Sequence, residues 1–227
     1  MANGESAFSR FCWFGGSLHD ARHIEQAKAS TVRPGAITLV RHGEPALSRR
    51  VKLDWRGYIE WWKKYDEAGL LEGQTPPALL HDYARDARYI YSSTLRRSIE
   101  TAQAICGDRA FTSLPELIEA PLPPPHLPSF IKLTPNSYSW GFWARVCWWY
   151  LNIHGDTEGR EPAKIRARKM AQFLYEKASE GGDVLVLAHG FFNLMISIEL
   201  KKMGYIKTLE QGFKYWGCRR YELRKKP

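Results

Sequence analysis

Hydrophobic positions along the chain fall into two patterns. Unbroken aliphatic runs stand at 36–40 (AITLV) and 183–188 (DVLVLA). They are apolar almost throughout rather than alternating, as strands buried on both faces of a parallel sheet require. RYIYS at 88–92 is a weaker run that predicts a third strand. Elsewhere apolar residues recur at helical steps. After Ser93, the residues Leu95, Ile99, Ala102 and Cys106 share one helical face and Gly107 closes the segment. PAKIRARKMAQFLYEKASEGG at 162–182 is an amphipathic helix with Pro162 at its start and glycines at its end, and FFNLMISIELKKMG at 191–204 is an apolar helix running out into lysines and Gly204. Strands alternating with helices predict an α/β protein, a three-layer α/β/α sandwich with a mostly parallel central sheet. KYWGCRRYELR at 214–224 alternates well enough to add an edge strand.

Two stretches are dense in aromatic residues. In LSRRVKLDWRGYIEWWKKYDEAG (47–69), Trp55, Tyr58, Trp61, Trp62 and Tyr65 cover a broad helical face and are expected to pack over the rim of a site. WGFWARVCWWYLNI (140–153) contains Arg145 and is shorter than the roughly 20 residues of a spanning helix, which predicts a partly buried helix and no stable membrane insertion. Residues 1–35 lack a period and end in RPG, and so read as a poorly ordered or peripheral extension. The catalytic domain is expected over 36–227, with helical inserts near 49–80 and 129–160. His19 and His23 stand four apart without a third ligand, so no metal site is expected there. PLPPPHLP at 121–128 predicts an extended loop.

Composition narrows the setting. The 227 residues are 44% hydrophobic, enough for a substantial core. A net charge of +9 suits an acidic or phosphorylated partner, but the basic residues are scattered and no recognition module is present, so no nucleic acid is expected. Cys12, Cys106, Cys147 and Cys218 have neither C-x-x-C spacing nor disulfide density, and no signal-peptide core is present. Reduced thiols and a cytoplasmic location are the expectation. Composition leaves the oligomeric state open.

Chemistry gathers where three strands end. In open α/β sheets ligands bind outside the carboxyl ends of the strands. The first end supplies Arg41, His42 and Gly43; the second Ser92, Ser93, Arg96 and Arg97; the third His189 and Gly190. Two arginines in the first turn of a helix oppose its dipole, and a bound anion would resolve the conflict, with Ser92 or Ser93 capping the helix. Arg96 reads as a solvated helix residue. Two imidazoles converging on one phosphorus centre could divide the work, one attacking and one binding the developing charge.

LVRHGE, SSTLRRSIETA and VLVLAHG, in that order, resemble the histidine phosphatase superfamily, the phosphoglycerate-mutase-like group, over residues 36 to about 200. The resemblance implies a phosphoglycerate-mutase-like fold and a phosphohistidine mechanism without metal or other cofactor. His42 matches the nucleophile, Arg41 and Arg97 bind phosphoryl oxygens, and His189 contacts the transferred group. The family's general acid falls on Glu119, whose L-x-E spacing fits, with Glu116 as the alternative. Ser48, Arg49, Ser93, Gly190 and Asn193 are candidate substrate-binding residues. Ser48 stands where mutases carry asparagine, Pro45 where serine or threonine is usual, and prolines follow Glu119 where glycines are usual. These departures point to a phosphatase acting on a phosphorylated small molecule or phosphoprotein. A protein phosphohistidine phosphatase, a phosphomutase and a non-catalytic phosphate-binding module are the alternatives.

Overall fold

The computed structural model describes residues 33–123 and 133–224. The expectations for residues 1–32, including His19, His23 and Cys12, and for the loop beyond residue 123 lie outside the described residues. Among these, six strands form one sheet: β1 (Ile37–Arg41), β2 (Ala87–Ser93), β3 (Thr112–Leu114), β4 (Asp183–Ala188), β5 (Tyr205–Glu210) and β6 (Cys218–Leu223). Their order is β3-β2-β4-β1-β6-β5. β1, β4, β2 and β3 pair in parallel, while β6 runs antiparallel to β1 and β5 antiparallel to β6. The carboxyl ends of β1, β2 and β4 therefore share one edge.

Among the described residues six helices accompany the sheet: α1 (Trp55–Glu67), α2 (Ala78–Asp86), α3 (Arg96–Cys106), α4 (Ser137–Leu151), α5 (Arg160–Ser179) and α6 (Gly190–Lys202). The unbroken apolar runs have a direct cause. Ile37, Leu39, Val184 and Val186 pack against Ala167, Met170 and Leu174 of α5 and Phe192, Ile196 and Leu200 of α6. On the opposite face, Val40, Leu185 and Leu187 meet Leu80 and Ala84 of α2 and Ala102 and Ile105 of α3. Both faces are covered, giving the three layers, and each fully buried Val, Leu, Ile or Phe contributes about 1.5–3 kcal/mol.

The inserts build a third cluster over the sheet's carboxyl edge. Asp54 caps α1 by accepting from Gly57 N–H at 2.7 Å, and Asn136 caps α4 by accepting from Ser139 N–H at 2.9 Å. Tyr58, Trp61 and Tyr65 of α1 then pack with Trp140 of α4, whose indole N–H donates to the Leu53 carbonyl at 2.7 Å. The aromatic face of α1 thus packs with Trp140, while Phe142, Trp143 and Tyr150 of α4 stay exposed. Cys106 and Cys218 are buried, Cys147 is half-buried, and all three are free thiols.

One expectation is corrected. The C-terminal segment is not an edge strand, because β5 covers it. β5 exposes Ile206, Lys207 and Thr208 and buries only Tyr205, so its polar pattern hid it. β3, three residues long, and α2 were also not anticipated.

Candidate active site

His42 stands one step past the end of β1. Its backbone N–H still bonds the Ala188 carbonyl of β4 at 3.0 Å, extending the parallel ladder by one residue. Gly43 passes beneath Trp216, where a Cβ would lie 2.3 Å from the indole Cζ2, so only glycine fits without displacing the ring. The Gly43 N–H is anchored on Thr101 Oγ1 of α3 at 3.0 Å, and that hydroxyl donates to the Arg97 carbonyl at 2.6 Å.

These anchors fix the imidazole. His42 Nδ1 lies 2.7 Å from the Gly43 carbonyl oxygen. A carbonyl only accepts, so Nδ1 carries the proton and Nε2 presents its lone pair. The residue is 2% exposed. Burial, then the charges of Arg97 and Arg41, hold its pKa well below the ordinary 6.5, and the ring is neutral at pH 7.

His189, at the end of β4, is the N-cap residue of α6, and its ring meets that of His42 edge-on with centroids 5.1 Å apart. Its Nε2 lies 2.9 Å from Ser93 Oγ and 3.4 Å from Ser98 Oγ. Ser93 Oγ also accepts from Leu95 N–H at 3.4 Å, tying the His189 contact to the start of α3. Burial and then Arg97 push the pKa of His189 well below 6.5 as well. The expected capping of α3 by Ser92 or Ser93 is corrected: Leu95 is the N-cap residue with no side-chain cap bond, Ser92 pairs with Ser113 across to β3, and Ser93 serves His189.

Three guanidinium groups act on His42. Arg97 is 1% exposed in the first turn of α3. It is held from α1: Nη1 donates to the Tyr65 carbonyl at 2.9 Å, Nη2 to Asp66 Oδ1 at 3.1 Å, and the group lies 4.8 Å over the Tyr65 ring. Arg41 donates to the Phe213 carbonyl and lies 4.2 Å over Tyr215. Arg49 lies 4.6 Å over Tyr138 and 5.6 Å from Tyr65, and it too acts electrostatically on His42. The Nε atoms of Arg41, Arg49 and Arg97, and Nδ1 of His189, are buried without a hydrogen-bond partner among the described residues. Each unpaired buried donor costs about 1–3 kcal/mol. One tetrahedral oxyanion would satisfy several of them at once.

Glu119 follows the 3-10 turn Pro115–Leu117 and sits over the start of α6. Its Oε1 accepts from Phe192 N–H at 2.8 Å and Ala120 N–H at 2.9 Å, and its Oε2 from Phe191 N–H at 3.2 Å. The structure therefore brings Glu119 to the helix that begins beside His189. Glu116 is exposed, and its carbonyl accepts from Arg166. Gly190 approaches Arg41, where an added Cβ would lie 3.3 Å from Cδ. Asn193 donates to the Val40 carbonyl at 2.9 Å, tying α6 to β1. Ser48 is exposed with its hydroxyl engaged by Arg50 N–H at 3.2 Å, and Arg96 is solvated and paired with Glu100. Sequence reasoning missed Asp66, Tyr215 and Thr101 as site residues. Thr101 alone carried a signal, lying one turn beyond Arg97 on the same helical face. Burial pushes the Asp66 carboxyl up even though Arg97 bonds it.

Comparison with known proteins agrees with this architecture. A phosphoglycerate mutase from Bacillus anthracis str. Sterne superposes with a TM-score of 0.52 at 14% identity, over 86% of this chain and 93% of that one, and shares the fold. The phosphoserine phosphatase of Entamoeba histolytica in complex with 3-phosphoglyceric acid gives 0.47 at 18% identity, over 74% and 80% of the two chains. A mycobacterial glucosyl-3-phosphoglycerate phosphatase gives 0.49 at 18%, over 75% and 81%. No curated protein matches the sequence significantly. The sequence model of the histidine phosphatase superfamily (branch 1) matches residues 37–212, a span that runs from β1 past α6 and holds His42, Arg97, Glu119 and His189; the chain belongs to that superfamily and is an enzyme of its class.

Proposed function

We propose that this enzyme is a metal-independent phosphatase that hydrolyses a phosphomonoester through a phosphohistidine on His42. The observation that carries this reading is the set of unpartnered buried nitrogens on Arg41, Arg49, Arg97 and His189 around an imidazole whose Nε2 is unprotonated. Phosphoryl transfer demands in-line positioning and neutralised charge, and guanidinium and imidazole donors meet both needs. His42 Nε2 attacks phosphorus, the bond to the leaving oxygen breaks, and Glu119 gives that oxygen a proton. Water then attacks the phosphohistidine, losing its proton to Glu119, and inorganic phosphate leaves with His42 restored. Arg41, Arg97 and His189 hold the phosphoryl oxygens in both steps. Arg49, between Tyr65 and Tyr138, binds a second anionic group of the substrate. A mutase or a protein phosphohistidine phosphatase would use the same site with a different acceptor or donor; Ser48, solvated where a mutase carries asparagine, favours hydrolysis.

The test is hydrolysis of an aryl phosphate in EDTA by wild type and His42→Ala. Turnover is expected to persist in EDTA and to fall at least about a thousandfold in the variant. Activity abolished by EDTA, or retained by the variant, would overturn the reading.

A further inference from the structure

Helix α4 carries apolar side chains on two faces. Trp140, Ala144 and Trp148 are buried toward the cores. Phe142, Trp143, Tyr150 and Leu151 are exposed by 62%, 56%, 74% and 66%. The helix's one charge, Arg145, donates inward to the carbonyls of Ala120 and Pro121. A helix apolar on all sides is at home only where all sides are covered, and contiguous exposed aromatic surface marks an interaction site. Between α4 and α6 this surface opens into an apolar groove of about 300 Å³ that includes Phe142, Val146, Trp149, Leu194 and Ile198. Beside it Arg160, Lys164, Arg168 and Lys202 stand around Glu161 and Glu199, four cations against two carboxylates.

We propose that this face docks the enzyme on an anionic lipid bilayer, with the aromatics at headgroup level and the rim cations over lipid phosphates. Trp and Tyr suit that boundary because each pairs an apolar body with a polar tip. Charge separates a bilayer from a second copy of the chain as the occupant: at +9, two copies repel, whereas an anionic surface attracts. The docking is peripheral; among the described residues no helix is long and apolar enough to cross a membrane. It does not depend on the phosphatase reading.

Co-sedimentation of the full chain with vesicles tests it, using phosphatidylcholine alone and phosphatidylcholine mixed with phosphatidylglycerol. The expected result is association with the anionic vesicles, weakened by salt. It should fall roughly tenfold in Arg168→Glu/Lys202→Glu and vanish in Phe142→Ser/Trp143→Ser/Tyr150→Ser, with thermal melts showing both variants folded. No association with anionic vesicles, or equal association by the charge-reversed variant, overturns the proposal. So does a dimer in solution that the triple variant dissociates while vesicles bind neither form. Should the triple variant fail to fold, the charge-reversed variant decides alone, because both of its side chains are exposed.

Discussion

At the scale of single residues, the proton on His42 Nδ1 sets what the imidazole can do. The Gly43 carbonyl holds it there, and burial beside two arginines keeps a second proton off Nε2. The same burial makes a prediction about stability. His42 and His189 have pKa values well below 6.5 in the fold and titrate near 6.5 once unfolded. As pH falls below about 6.5 the unfolded chain takes up protons that the native chain refuses. The stability tied to these two rings is therefore complete above that pH and lost below it, at up to about 1.4 kcal/mol per pH unit for each. Thermal melts from pH 7 to 5 should show a steeper fall for wild type than for His42→Gln/His189→Gln, and parallel curves would contradict the assignment of neutral buried rings. The sequence marked Arg41, His42 and His189 as candidates because they stand where apolar strands end, and Arg97 because it opens the helix that follows one; the structure brings Arg41, Arg97 and His189 to His42. Asp66 and Tyr215 were not marked: the spacing around Asp66 reports only its own helix, and Tyr215 lies in the turn between β5 and β6, where no period marks it.

At the scale of elements, α1 reaches across to hold a residue of α3. Arg97 is held by the Tyr65 carbonyl and the Asp66 carboxylate at the last turn of α1, which couples an insert to the candidate site. Asp66→Asn keeps the shape and removes a charge-assisted bond. It should raise KM for an aryl phosphate roughly tenfold, with Asp66→Glu recovering part of the loss. Steady-state kinetics with KM unchanged in both variants would mean that the Tyr65 carbonyl positions Arg97 alone. Elements were readable where burial was complete: β1 and β4 announced themselves by unbroken apolar runs, and α3, α5 and α6 by helical spacing with Gly or Pro at their ends. β5 was not readable because its alternation is masked by exposed Ile206 and polar neighbours, and β6 read as an edge strand for want of that partner.

At the scale of the whole molecule, the parallel strands bring the ends of β1, β2 and β4 to one edge, and the inserts roof that edge with aromatic rings. The three-layer architecture followed from alternation alone, whereas the convergence of Arg49 with Arg41 and Arg97 needed the roof in place. A site assembled around unpartnered donors should be steadied by an anion. Inorganic phosphate is expected to raise Tm, by the equivalent of about 2.7 kcal/mol at a hundredfold excess over its Kd, and the rise should be lost in Arg97→Ala; an equal rise in that variant would place phosphate elsewhere. Whether His42 Nε2 takes the phosphoryl group is read by quenching the enzyme in alkali during turnover of an aryl phosphate and locating the phosphoryl group by mass spectrometry. A single adduct on His42, absent from His42→Ala, is the predicted result, and continued turnover with no adduct, or an adduct on another residue, would contradict it.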